Sequence, residues 1–287
     1  MKLGRLGVWY PTDRLDAAAL AYYVKRVEAL GYASIWYPES TGYESFALAN
    51  YLLQQSRTLT VGSSIANIYA RDAVTARNGL FALSRLSGNR FILGLGVSHK
   101  PNVEGVRGHS YDRPVPTMRA YLETIAKASD PQAAQRPVMI AALGSGMLKL
   151  AASHSWGALP YNVTPAHTKR ARAALGPEKW LVVEQMVCLS DDLAQARQAK
   201  RQELARYMVL DNYRNNWLSL GFDEQDLAQG GSDRFLDAMV VSGNAGALKA
   251  RIDEHFAAGA NQVAIQPVHP ELKPEIDWRC LEALAPS

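Results

Sequence analysis

The sequence predicts an α/β fold of the (β/α)8 TIM-barrel type, with one domain spanning residues 1–287. Three observations predict it. Short apolar strands alternate with amphipathic helices along nearly the whole chain. The stretch from Leu59 to Arg71 starts as a strand, passes through small residues and reaches a helix, as a ligand-facing barrel rim does. The run Arg90–Val97 is almost uninterrupted apolar sequence, the pattern of a strand covered on both faces. An open doubly wound sheet is the alternative arrangement of the same elements. Two domains are not expected, because no Pro/Ser/Gly-rich tract divides the chain.

Leu6–Tyr10 reads as the first strand, closed by Pro11. Asp16 is placed to cap a helix through Leu30, with Leu20, Val24, Val27 and Leu30 at helical spacing and Gly31 ending it. Ala33–Tyr37 is the second strand, stopped by Pro38, and a helix over Tyr43–Gln55 follows. The Leu59 strand leads to a helix from Asp72 to Leu86, and Arg90–Val97 is the fourth strand. A Gly-, Pro- and His-rich loop over Ser98–Pro116 precedes a helix from Met118 to about Ala128. Pro137–Ala142 is the fifth strand, and Gly144-Ser145-Gly146 opens a helix through Ala152. Trp156–Pro160 is a short sixth strand, Thr164 caps a helix to Leu175, and Trp180–Leu189 is the seventh strand. The repeat then breaks. A helical region from Asp191 to about Trp217 and a polar stretch over Gly221–Asp233 form an insertion after strand seven. A helix over Gly246–Ala258 and a strand over Asn261–Gln266 complete the eighth unit.

Composition narrows the function classes. At 48% hydrophobic and 20% charged, the chain has ordinary soluble globular composition. A formal charge of +4, with scattered Lys and Arg, argues against a nucleic-acid partner. The local cluster Lys169-Arg170-Arg172 reads as a solvated helix face. No apolar run reaches membrane-spanning length, and the stretch after Met1-Lys2 is too short for a signal peptide. Cys188 and Cys280 stand far apart without metal-ligand spacing, which fits a reducing cytoplasm and no disulfide framework.

Chemistry-bearing residues cluster at predicted strand ends. Gly62, Ser63 and Ser64 allow close approach to the backbone, Ile65 and Ile68 supply bulk, and Asn67 and Arg71 supply an amide and a charge. Gly144-Ser145-Gly146-Met147 begins a helix, where exposed N–H groups and the helix dipole suit a phosphate, although turn glycines and a helix cap account for the same residues. Glu39 and Ser40 follow strand two. Glu39 has two readings: a general acid or base with its pKa raised beside Trp36 and Trp9, or a hydrogen-bond acceptor for rim N–H groups. His99 and His109 lie on the predicted ligand side, and either can act as a general acid. His154, His167 and His255 fall on helices, where packing or surface roles are common, and His269 sits in a Pro-stiffened exit segment. No pair has metal spacing, so no metal site is expected.

Several segments together resemble the bacterial luciferase-like superfamily, and within it the deazaflavin (coenzyme F420)-dependent oxidoreductases. They are Ser34–Glu39, V-G-S-S-I-A-N-I-Y-A-R at 61–71, L-S-G-N-R-F-I-L-G-L-G-V-S-H at 86–99, A-A-L-G-S-G-M-L-K-L-A at 141–151, G-A-L-P-Y-N-V-T-P at 157–165 and A-G-A-N-Q-V-A-I-Q at 258–266. They occur in the family's order and touch nearly the whole chain. The resemblance implies a TIM barrel holding a flavin-type cofactor at the C-terminal ends of its strands and moving hydride at the cofactor's central ring. It implies a bulge in strand three with a non-proline cis peptide at Ser64–Ile65, whose side chain presses the back of the ring. It places Ala66 and Asn67 at the pyrimidine edge, Trp9 among the cofactor-binding residues, Ser98 and His99 along the cofactor's side chain, and Gly144–Met147 at its phosphate. Arg71 can neutralise that phosphate or form a surface salt bridge. The family often carries His after the acidic residue of strand two, to handle the proton that accompanies hydride. This chain has Ser40 there, and Ser is a poor acid–base group without an activating partner. The expected activity is F420-dependent hydride transfer with a small organic substrate. The alternatives are an FMN-dependent monooxygenase of the same fold and a catalytically inert cofactor-binding barrel. Arg71, Lys100 and Arg107 lean towards the longer anionic tail of F420. The resemblance also implies a homodimer through barrel helices.

Overall fold

The computed structural model describes residues 3–127 and 136–286. Ten parallel-paired strands form one sheet: β1 Leu6–Trp9, β2 Ser34–Tyr37, β3 Thr60–Ser63, β4 Ala66–Asn67, β5 Phe91–Gly96, β6 Val138–Ile140, β7 Gly157–Ala158, β8 Trp180–Leu189, β9 Val240–Gly243 and β10 Gln262–Pro267. Eight of them, all but β4 and β9, close into a barrel, since β1 pairs with β10 at Gly7–Ala264 and β10 pairs with β8 at Val263–Val183. The closed barrel replaces the doubly wound alternative.

The helices are α1 Ala17–Ala29, α2 Ser45–Gln55, α3 Ala73–Leu86, α4 Pro114–Ala126, α5 Ser145–His154, α6 Pro165–Leu175, α7 Leu193–Met208, α8 Asp211–Leu218, α9 Asp233–Met239, α10 Ala245–Ala257 and α11 Trp278–Ala283. Asp16 and Asp72 cap α1 and α3 through side-chain acceptance of backbone N–H groups, as the sequence predicts. Thr164 holds the N-cap position of α6 without a side-chain cap bond, where the sequence predicts a capping hydroxyl. The Ser98–Pro116 loop contains a helical turn at Pro101–Val106, and α4 begins at Pro114 rather than Met118, because proline suits a first helical turn. The predicted end of that helix, Ala128, lies outside the described residues. No helix among the described residues is long and apolar enough to cross a membrane.

The barrel interior is packed rather than hollow. Trp9, Trp36, Ile92, Met139, Leu159, Val182 and Ala264 form one buried cluster inside it. Gly62 is required there, since a Cβ on it would lie 2.3 Å from the Trp36 ring. Below, the Trp36 indole N–H donates to Gln262 Oε1 at 2.7 Å, and Gln262 Nε2 donates to the Leu3 carbonyl at 2.5 Å. The buried indole, hydroxyl and amide of that layer are thereby paired.

The insertion after the seventh barrel strand, β8, builds a second core over the rim. Trp217, Phe235, Leu204 and Met239 pack together within it. The long helical region is broken at Val209–Leu210 into α7 and α8, and the Trp217 indole N–H donates to the Asn162 carbonyl at 3.1 Å, tying α8 to the loop after β7. Strand β9, unforeseen in the sequence, pairs with the C-terminal half of β8.

Candidate active site

The third-strand segment is interrupted in the way the resemblance implies. Gly62 faces Ile92 and Ala66 faces Leu95, so the segment uses one residue more than β5 over that interval. The Ser64–Ile65 peptide bond within it is cis. Ile65 packs over Gly96, where a Cβ would lie 2.3 Å from Ile65 Cγ1, so only glycine fits beneath it. The Trp9 indole N–H donates to the Ser64 carbonyl at 3.3 Å.

A cavity of about 730 Å³ opens where the barrel strands end, and the insertion forms its far wall. Trp9, Glu39, Ser40, Ser64, Ile65, Ser98, His99, Gly144, Ser145, Gly146 and Met147 all line it. Residues separated by up to 138 positions therefore meet at one mouth, Ile65 and Gly144 among them.

Gly144 is the N-cap of α5 with no side-chain cap bond, and the first intrahelical bond runs from Leu148 N–H to the Gly144 carbonyl at 3.0 Å. The N–H groups of Ser145, Gly146 and Met147 precede it, at the positive end of the helix dipole. A Cβ at Gly144 would meet nothing, so the approach is open. Arg170 of α6 lines the same cavity and donates to Asn216 Oδ1 at 2.6 Å and Ser219 Oγ at 2.9 Å, with no carboxylate partner among the described residues. This corrects the reading of Lys169-Arg170-Arg172 as a solvated face for Arg170, while Lys169 is exposed as that reading has it. Arg172 is likewise engaged, donating to the Gly259, Gly176 and Lys179 carbonyls.

Glu39 takes its hydrogen-bonding role, not that of a free acid. Its carboxylate accepts from Arg71 Nη1 at 2.9 Å, Asn67 N–H at 2.7 Å and Ser45 N–H at 3.2 Å, and pairs with Arg71 Nη2. Arg71 also reaches Glu44 at 2.8 Å. Committed to two carboxylates and absent from the cavity wall, Arg71 is not available to a phosphate. Ala66 and Asn67 are also off the wall: Ala66 is fully buried, and the Asn67 side chain accepts from Tyr69 N–H at 2.9 Å. Lys100 and Arg107 do not line the cavity either.

The His99 ring lies 5.7 Å from that of Tyr213, tilted by 43°, and burial lowers its pKa against the opposing hydrogen bond with Asn212. It is thus a neutral imidazole over more of the pH range than an exposed one. His109 is exposed and off the cavity. His255 is buried, bonded to Thr168 Oγ1 at 2.8 Å and Gln185 Oε1 at 2.8 Å, and His167 bonds the Leu143 carbonyl at 2.9 Å. Both pack the barrel wall, one of the roles expected for them. Among the described residues, no group of three or more His, Cys, Asp or Glu is arranged to hold a metal.

Sequence reasoning missed Arg170, Tyr161, Tyr207, the Asn-rich face of α8 and Glu184. Only Glu184 left a legible signal, as a carboxylate inside the apolar run L-V-V-E-Q-M-V. It is 3% exposed and on the same face of β8 as Val182, inside the barrel. It accepts one N–H, from Asn162 at 3.1 Å, while its Oε1 has no partner. Burial raises its pKa from 4.5 to about 8, only partly opposed by the Asn162 bond. The folded protein therefore keeps a proton that the unfolded chain has lost between those two values. Stability falls as pH rises through that window, by up to about 1.4 kcal/mol per pH unit. Urea unfolding at about pH 5 and about pH 8 should show this slope in the native protein and its loss in Glu184→Gln.

Residues 1–264 match the family described as luciferase-like monooxygenase. A 5,10-methylenetetrahydromethanopterin reductase of Archaeoglobus fulgidus is 24% identical, over 90% of this chain and 92% of the relative. Among solved structures, an F420-dependent secondary alcohol dehydrogenase in complex with an F420–acetone adduct superposes with a TM-score of 0.75 at 12% identity, covering 99% of this chain and 97% of that one. The FMN complex of the oxygenating constituent of 3,6-diketocamphane monooxygenase from Pseudomonas putida gives 0.70 at 11% identity, covering 98% and 96%. At such identities the structural likeness establishes the fold.

Proposed function

Because the chain belongs to the luciferase-like monooxygenase family, we propose that it is a coenzyme F420-dependent oxidoreductase transferring hydride between the deazaflavin and a small organic substrate. The observation that carries this reading is the meeting of Ile65 and the α5 N-terminus on the wall of one cavity of about 730 Å³. A cofactor with a flat ring and an anionic side chain needs that combination of an apolar brace and an anion cradle. The residues fit the group: Gly144 leaves the cradle open, and Gly96 leaves room for Ile65 to stand against the ring. By name the Archaeoglobus relative is a reductase rather than an oxygenase and the alcohol dehydrogenase neighbour is F420-dependent, which supports hydride transfer with F420.

In this reading Ile65 supports one ring face. The N–H groups of Ser145, Gly146 and Met147, with the Ser145 hydroxyl and Arg170, hold the anion. Ser98 and His99 line the path between them. Glu39, on the cavity wall, and Arg71, behind it, clamp the interrupted third strand so that Ile65 keeps its place. The insertion limits water at the reacting face. Bound there, the deazaflavin supplies a ring carbon that accepts or gives hydride.

The test is a titration of the purified protein with F420 and with FMN, following quenching of cofactor fluorescence. Saturable binding of F420 is the expected result. Binding of FMN alone would transfer the chain to the monooxygenase reading, and binding of neither would leave an inert barrel.

A further inference from the structure

Two phenol hydroxyls on the cavity wall have no part in the account above. Tyr161 and Tyr207 both line the cavity, and their oxygens lie 2.9 Å apart. Tyr161 follows β7 and Tyr207 sits in the last turn of α7, so the pair joins the barrel to the insertion. The Tyr161 hydroxyl also donates to Oε1 of Gln266, on β10, at 2.9 Å.

A phenol has a single proton to donate. With the Tyr161 proton given to Gln266, the bond between the phenols is donated by Tyr207. The Tyr207 oxygen then keeps a lone pair at the cavity, where a hydroxyl can donate to it. A half-turn of the Gln266 amide exchanges its acceptor oxygen for a donor nitrogen, and the row reverses. Gln266 then donates to Tyr161, Tyr161 to Tyr207, and Tyr207 into the cavity, where a carbonyl oxygen can accept. The same three side chains therefore serve both members of an alcohol–carbonyl pair.

The surroundings suit a neutral oxygen. The Trp9 ring lies 4.9 Å from that of Tyr161, and the Tyr213 ring 5.1 Å from that of Tyr207. Arg206, over the Tyr207 ring, is paired with Glu203 at 3.2 Å. Burial raises the pKa of both phenols; Glu184 adds to the rise and Arg206 opposes it. Both remain hydroxyls through the neutral range.

We propose that Tyr207, backed by Tyr161 and Gln266, is the subsite that receives the substrate's oxygen, so that the cavity takes a neutral alcohol or carbonyl compound. What happens to that group rests on the hydride-transfer reading; its binding does not.

The experiment measures dissociation constants by ligand-observed NMR for cyclohexanone, cyclohexanol and the oxygen-free isostere methylenecyclohexane. Native protein and Tyr207→Phe are compared, with F420 quenching run on both. In the native protein the two oxygen-bearing probes should bind roughly three- to tenfold tighter than the hydrocarbon, the worth of one neutral hydrogen bond. In Tyr207→Phe the three should converge, with methylenecyclohexane and F420 binding unchanged. Tyr207→Met, which also lacks the hydroxyl, repeats the test if the Phe variant does not fold. Three results would overturn the proposal: no oxygen preference in the native protein, a preference that survives in Tyr207→Phe, or a loss of F420 affinity in that variant. If neither protein binds F420 while the preference follows Tyr207, the subsite stands and the cofactor reading falls.

Discussion

Arg71→Met should destabilise the protein by about 3–5 kcal/mol, the usual effect of removing one partner from a buried ion pair. The side chains of Arg71 and Glu39 are only 7% and 4% exposed, so Glu39 cannot regain in water what it loses with its partner. Its two backbone donors, Asn67 and Ser45, do not cancel a full negative charge. Adding Glu39→Gln removes that charge and keeps one acceptor oxygen for the backbone. The double variant should therefore recover part of the loss, and the difference between the two measures the stranded charge rather than lost packing. Urea unfolding at neutral pH checks both. A single variant within about 1 kcal/mol of native would mean that the pair contributes as a surface salt bridge does.

The second large effect falls on binding and leaves the fold alone. Gly144→Asp puts a carboxylate at a helix N-cap where the structure has no capping side chain and open space for a Cβ. Aspartate is a good N-cap and glycine a fair one, so the folded protein should gain only a few tenths of a kcal/mol. The same carboxylate competes for the N–H groups of Gly146 and Met147 and repels any anion brought to them. Like charges opposed at a binding site cost several kcal/mol, so F420 affinity should drop on the order of 100-fold or more. Fluorescence quenching and a thermal melt on one sample separate the two effects. Undiminished F420 binding would move the cofactor's anionic group away from α5.

Glu39 and Arg71 hold the third-strand interruption, and α5 presents an open helix end at the same mouth. A rigid wall and an exposed dipole are what a barrel rim can offer a large cofactor without dedicating a second domain to it. The phenols of Tyr161 and Tyr207 line the same cavity, as does Ser40.

Legibility followed the range of the forces involved. Strand and helix positions were readable because side-chain periodicity and capping depend on residues within a few positions of one another, as at Asp16 and Asp72. The interruption at Ser64–Ile65 was readable through resemblance, since the motif that carries it is contiguous. Strand β9 was not, because four residues of mixed character become a strand only when the exposed edge of β8 pairs with them. Arg71 looked like a rim cation until Glu39, 32 positions away, was found to hold it. Arg170 looked like a solvated charge until α8, some 46 positions further on, closed against it.

By itself, then, the sequence determined the barrel, the order of its units, the helical insertion and the mouth at which small-residue strand ends gather. Those properties follow from local pattern and chain connectivity. Only the tertiary structure decided which charges are free. A carboxylate, a guanidinium or a phenol acquires its role from whichever partner lies within about 3 Å, and here those partners come from distant parts of the chain. Of the two readings the sequence left open for each, the structure took the hydrogen-bonding one for Glu39 and the ion pair for Arg71, buried rather than on the surface, and Tyr207 emerged at a site no linear motif marks.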